Sequence, residues 1–162
     1  VEPVHSAYAP GGTYAIDRNG ILSAAGNKTR WYYYVQKANT QIKAIDHVLM
    51  NSANIGMIVH GKKANLLADT QADNRAELIR DGKFRQLTSV SGDDCFVGCF
   101  DYNGGTALYV VNYSRKDKAN VTLNFDKTYG YEVIQRAVSA EVAAKNLPLT
   151  LEAGEGALVV LK

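Results

Sequence analysis

Between Ala119 and Phe125 apolar and polar residues alternate without a break. Ala119, Val121, Leu123 and Phe125 fall on one side, and Asn120, Thr122 and Asn124 on the other. A strand sends successive side chains to opposite faces, so this run reads as a strand with one buried and one wet face. A helix would scatter the same residues around its axis. The surrounding sequence repeats the theme. Ile55 to Val59, Phe96 to Tyr102, Ala107 to Tyr113, Tyr131 to Gln135, Leu147 to Leu151 and Ala157 to Leu161 are short apolar runs of strand length. Turn residues separate them: Gly61-Lys62-Lys63, the hairpin signal Asn103-Gly104-Gly105, and the polar stretch Arg115 to Lys118. Strands recurring about every 8–12 residues with such turns predict a mainly β protein, an antiparallel β-sandwich of immunoglobulin-like or similar type.

One segment breaks the pattern. From about Thr29 to Asn51 apolar residues recur at Trp31, Tyr34, Val35, Ala38, Ile42, Ile45 and Leu49, with Lys37, Thr40, Lys43 and His47 opposite. That is the period of a long amphipathic α-helix, capped by Asn27 or Thr29. Its apolar face is expected to pack on the sandwich or on a neighbouring chain. The sequence therefore divides into a loop-rich lead-in and helix, 1–51, and a β-sandwich, 52–162. Within the lead-in, Thr13 to Ile16 reads as one short strand. Residues 62–86 are polar and ambiguous, with short apolar patches at Leu66-Leu67 and Leu78-Ile79.

Composition removes several function classes. The chain has 162 residues, 46% hydrophobic and 21% charged, so it can bury a core and is not compositionally disordered. The 18 basic and 16 acidic residues are interspersed and leave a net charge of +2. No basic stripe suits a nucleic-acid backbone. No apolar run approaches the roughly 20 residues of a membrane-spanning helix. A start at Val1 rather than Met is expected to mark an internal start of a longer protein. Cys95 and Cys99 lie four residues apart in a strand-like run, where their Cα atoms would be about 13 Å apart. A disulfide spans at most about 7 Å, so both are expected to be free, buried thiols that do not identify a compartment.

No catalytic signature is present: no nucleophile elbow, no zinc-protease motif and no phosphate-binding glycine loop. His5, His47 and His60 have no ligand spacing, and no metal or cofactor is expected. Asp93-Asp94 follows Ser91-Gly92 and reads as a solvated turn. The aromatic run Trp31-Tyr32-Tyr33-Tyr34 offers a candidate carbohydrate-stacking platform at Trp31, Tyr32 and Tyr33. Four consecutive helical positions point in four directions, however, and Trp31 and Tyr34 belong to the apolar stripe, which favours a packing role. Tyr102, Tyr109, Tyr113, Tyr129 and Tyr131 read as cross-strand packing. Asn27-Lys28-Thr29, Asn112-Tyr113-Ser114 and Asn120-Val121-Thr122 fit the N-glycosylation pattern and are taken as chance matches.

Two stretches carry a resemblance. Asp17-Arg18-Asn19-Gly20 followed by Gly26 to Ile42, with its Trp31-Tyr32-Tyr33-Tyr34-Val35 core, resembles the last loop and helix of a glycoside hydrolase (β/α)8 barrel. Phe96-Val97-Gly98-Cys99-Phe100-Asp101, Ala107 to Tyr113 and Leu151 to Val159 resemble the β-sandwich that follows the barrel in many bacterial glycoside hydrolases. The likeness covers most of the chain outside roughly 62–90. It implies that the catalytic carboxylates lie on earlier barrel strands, before Val1, and that no catalytic residue falls here. The expected function is a non-catalytic C-terminal accessory domain that braces the catalytic domain or contributes to assembly. The expected partner is the upstream catalytic domain of the same protein, with self-association left open. The alternatives are a carbohydrate-binding module, or the protein-interaction domain of a bacterial surface protein.

Overall fold

The computed structural model describes residues 20–22, 26–61 and 77–162. The expected strand at Thr13 to Ile16 and the patch at Leu66-Leu67 lie outside the described residues. The chain divides into two compact units inside its helix, Val1–Lys43 and Ala44–Lys162.

The helix α1 spans Arg30–Leu49. Thr29 precedes it, but its hydroxyl donates backward to the Gly20 carbonyl at 2.6 Å. The last turn is closed by side chains: Asn51 Nδ2 donates to the His47 carbonyl and Ser52 Oγ to the Val48 carbonyl, both at 2.7 Å. These satisfy carbonyls that a helix end leaves without partners. Of the expected apolar face, Ile45 is buried and Leu49 partly so, whereas Trp31, Tyr34, Val35 and Ile42 are exposed. Val48, which the stripe omitted, is buried.

Among the described residues seven strands follow: β1 (Ser52–His60), β2 (Leu87–Gly92), β3 (Cys95–Tyr102), β4 (Gly105–Val111), β5 (Ala119–Gln135), β6 (Val138–Leu151) and β7 (Gly156–Leu161). All pair antiparallel, in the order β1-β3-β4-β7-β5-β2, with β6 also on β5. The mainly β expectation stands, and the sandwich is corrected. The strands form one sheet curled into a half-barrel rather than two clearly separate facing sheets.

The reason lies in β5. The sequence suggested two strands, Ala119 to Phe125 and Tyr131 to Gln135; they are halves of one 17-residue strand. Its register slips between Asn124 and Tyr129, and such an irregularity bends a strand and sharpens its twist. β6 follows the whole of β5, from Ala119 opposite Leu151 to Gln135 opposite Val138. On the other edge, β2 pairs with the first half and β7 with the second. One bent strand thereby joins what would otherwise be two layers.

The main core fills the concave side with Val97, Cys99, Leu108, Val110, Leu123, Phe125, Tyr131, Leu151 and Val159, among others. A smaller cluster, Ala107, Ile134, Leu158 and Val160, covers the opposite face of β4, β7 and β5 and receives Ile45 and Val48 from the end of α1. β4 and β7 are therefore buried on both faces, which explains why Ala107 to Val111 and Ala157 to Leu161 are unbroken apolar runs. Cys95 and Cys99 are free and buried, as expected.

Candidate functional site

The first turns of α1 hold the aromatic run. Trp31 and Tyr34 meet edge-on, with centroids 5.8 Å apart, and Tyr32 and Tyr33 do the same at 5.5 Å. Lys28 Nζ sits 4.3 Å from the Tyr32 ring centroid and the Arg30 guanidinium 5.3 Å from that of Trp31. Each of these two rings thus already has a cation over its π-system. The rings form no coplanar platform, because consecutive helical positions diverge.

Of the three candidates, Tyr32 lines a groove among the described residues. This groove of about 470 Å³ runs along α1 between Ile21 and the ridge Val35, Gln36, Asn39, Thr40, Ile42 and Lys43. Trp31 and Tyr33 do not line it and are exposed, at 39% and 57%. Of the three residues that the sequence grouped, the groove therefore takes in one, although Tyr33 still touches Tyr32. The loop segment that supplies Ile21 is held by Thr29, whose hydroxyl and backbone N–H reach the Gly20 and Ile21 carbonyls.

A second concavity, of about 510 Å³, lies at one end of the sheet. Gly92, Asp93 and Asp94 between β2 and β3, Asn112 to Arg115 after β4, and Asp117 to Ala119 before β5 line it. Its polar groups hold the loops together. Asp93 Oδ2 accepts the Asn120 N–H at 2.8 Å, and Asp94 Oδ2 accepts the Tyr113 hydroxyl at 3.2 Å. Desolvation first, and then the bond to Asp94, raises the Tyr113 phenol above its ordinary value. Ser114 Oγ accepts the backbone N–H groups of Lys116 and Asp117. The pair Asp93-Asp94 is thus a turn, as read, but one whose carboxylates serve as acceptors that join separate loops.

Asn112 is the buried polar anchor beneath this end, 1% exposed. Its amide nitrogen donates to the carbonyls of Asp117, Leu151 and Glu152, while Oδ1 accepts the Ser114 N–H at 3.0 Å. That environment leaves no access for a glycan at this Asn. The sequence offered only a polar residue at the end of an apolar strand, and nothing in its spacing distinguished an anchor from a surface amide.

Among the described residues, no group of three His, Cys, Asp or Glu side chains converges so as to hold a metal ion. No described helix is long and apolar enough to cross a membrane.

No family model, curated protein or solved structure matches this chain. The functional reading therefore rests on the residues themselves.

Proposed function

We propose that this chain is the non-catalytic C-terminal accessory β-domain of a bacterial glycoside hydrolase, bracing the catalytic barrel or contributing to its assembly. The order of motifs from Asp17-Arg18-Asn19-Gly20 through Trp31-Tyr32-Tyr33-Tyr34 to the Leu151-Val159 run supports it by resemblance. The observation that carries it is the division along α1. Ala44 to Leu49 anchor in the smaller apolar cluster of the sheet, while Trp31, Tyr34, Val35 and Ile42 leave apolar surface exposed upstream. A helix seldom keeps such a stripe in water without a tertiary partner. A preceding barrel supplies one.

The reading frame upstream of Val1 tests this directly. It should encode a barrel with two carboxylates placed for glycoside cleavage, about 5–10 Å apart in the folded enzyme. A frame that encodes no such barrel removes the proposal. The chain alone, assayed against chromogenic glycosides, should give rates at the buffer blank. Turnover that survives repurification and is lost on mutating one carboxylate would overturn it.

The groove beside Tyr32 favours one second reading, a carbohydrate-binding module. An aromatic ring next to the Gln36 and Asn39 amides is a combination that sugars use. Loss of oligosaccharide binding in Tyr32→Ala would support it, and no binding by the unaltered chain would dismiss it.

A further inference from the structure

Asn103-Gly104 is the whole of the loop between β3 and β4, since Tyr102 and Gly105 on either side of it are paired. Asparagine followed by glycine readily loses its side-chain amide, because no Cβ on the second residue hinders the approach of its nitrogen. Both residues are exposed among the described residues. The nitrogen that would attack is nevertheless engaged: the Gly104 N–H donates to Asp101 Oδ1 at 2.9 Å. The other oxygen of that carboxylate, Oδ2, accepts from Arg85 Nη2, and Arg85 Nη1 donates to the Gly105 carbonyl. The bond from Arg85, and then that from Gly104, hold the Asp101 carboxyl below its ordinary value, so it is charged at neutral pH. Arg85 is itself held. Phe84 and Leu87 exchange backbone hydrogen bonds of 3.0 and 2.9 Å, which makes Arg85-Gln86 a tight loop. Gln86 Oε1 accepts the hydroxyl of buried Thr106 at 2.8 Å. Two neighbouring side chains thus fasten this loop to the facing residues Asp101 and Thr106 of the hairpin.

We infer that Asn103 is a latent deamidation site, and that Asp101, positioned by Arg85, is the group that keeps it closed. The reaction starts when hydroxide removes the Gly104 N–H proton. The nitrogen then bonds to Asn103 Cγ, the Cγ–Nδ2 bond breaks, and Nδ2 leaves as ammonia with a proton taken from water. Water opens the cyclic imide. Attack at Cγ gives aspartate, and attack at the backbone carbonyl carbon gives isoaspartate, whose main chain runs through the former side chain. The Asp101 carboxylate opposes the first step in two ways. It binds the proton that must leave, and its charge lies beside the nitrogen anion that would form. The Arg85 bond keeps the carboxylate in place, and the paired strands resist the rotation that brings Gly104 N to Cγ. Conversion adds a carboxylate near Asp101, and isoaspartate lengthens a turn built for two residues, so it loosens the β3–β4 hairpin.

Peptide mapping by mass spectrometry, with isoaspartate quantified, follows the conversion during warm incubation at mildly alkaline pH. In the folded chain Asn103 should convert about tenfold or more slowly than in the same chain held in urea. Asn19-Gly20 is the same dipeptide, and in urea it gives the reference rate for an unhindered site. Asp101→Ala should speed conversion of Asn103 in the folded chain by about tenfold. Arg85→Ala should speed it by less, since the carboxylate remains. Amide hydrogen exchange at Gly104 should quicken in Asp101→Ala, because exchange begins with loss of the same proton, while the amides of β4 stay protected. That protection separates loss of the guard from general loosening of the fold. Asp101→Asn keeps an acceptor and removes the charge, so it repeats the test with less disturbance should Asp101→Ala not fold, and it too should convert faster. A folded Asp101 variant whose Asn103 converts no faster, or an unaltered folded chain that converts as fast as in urea, would overturn the inference.

Discussion

Arg136, at the tip of the β5–β6 hairpin, holds the Glu155 carboxylate with two hydrogen bonds, Nε to Oε1 at 2.5 Å and Nη2 to Oε2 at 3.0 Å. The same carboxylate accepts the Glu152 N–H at 2.7 Å, so the hairpin tip is tied to the turn that precedes β7. The Arg136 bonds are the leading cause that holds the Glu155 carboxyl below its ordinary value of 4.5. A depressed folded value means that the contribution is fully present above about pH 4.5 and is lost as pH falls through the folded value. Glu155→Gln should therefore cost about 1 kcal/mol at neutral pH, a modest figure because the Arg136 side chain is half exposed. Urea denaturation of the two proteins should converge as pH drops below that window.

The same hairpin has a two-residue loop, Arg136-Ala137, between the paired residues Gln135 and Val138. Both adopt positive φ, 54° and 61°, which two-residue hairpin turns require and which Ala tolerates poorly. Ala137→Gly should raise stability by about 0.5–1 kcal/mol, the relief of strain exceeding the added freedom of the unfolded chain. Equal or lower stability in thermal melts would contradict this.

Asn112 donates to three carbonyls from a site closed to water. Asn112→Asp would turn a donor into a charged acceptor facing those oxygens and should cost about 3 kcal/mol or more at pH 7. The new carboxyl would have a raised folded value. The penalty should therefore shrink as pH falls and the group protonates, the opposite trend to that of Glu155. Paired unfolding curves at neutral and acid pH measure it.

The thiols of Cys95 and Cys99 are both pushed up to about 12, chiefly by burial. Neither should react with a thiol reagent in the native protein at mildly alkaline pH. Denaturation without reductant should release two free thiols; finding none in a monomer would refute the assignment.

Along α1 the two apolar classes should separate in the chain on its own. Val48→Ala, at a residue 1% exposed, should cost about 2 kcal/mol. Ile42→Ala, at 57% exposure, should change stability by less than about 0.5 kcal/mol.

The sequence was most legible where local pattern and tertiary environment agreed. Ala119 to Phe125 alternates because one face meets the core. The Asn103-Gly104 loop has the positive φ values, 52° and 77°, that its hairpin demands. β2 escaped notice because its register slips between Leu87 and Ser89. Leu87 and Val90 then both turn inward although they are three residues apart, and the period of two is lost. The first half of β6 was illegible for another reason: Val138 to Ala143 is exposed, so no buried face imprinted a pattern. The half-barrel was hidden as well, since the bend within β5 falls at exposed Asp126, Lys127 and Thr128, where the alternation that marks a strand stops. At the candidate site, adjacency of Trp31, Tyr32 and Tyr33 in sequence implied a shared surface that helical geometry disperses. Asn112 carried no local mark, because its partners lie as far as 40 residues away.

The placement of β7 between β4 and β5 sets a timetable for the chain as it is made. β1, β3 and β4 can zip together early, and β2, β5 and β6 can form a second platform, yet no other described strand joins the two groups edge to edge until Gly156–Leu161 has been synthesised. The strand that seals the sheet is the last of the seven to leave the ribosome. Until then the inner faces of both platforms stay open, so the nascent sheet depends on the arrival of β7, and on chaperones beforehand, to avoid sticking to its neighbours.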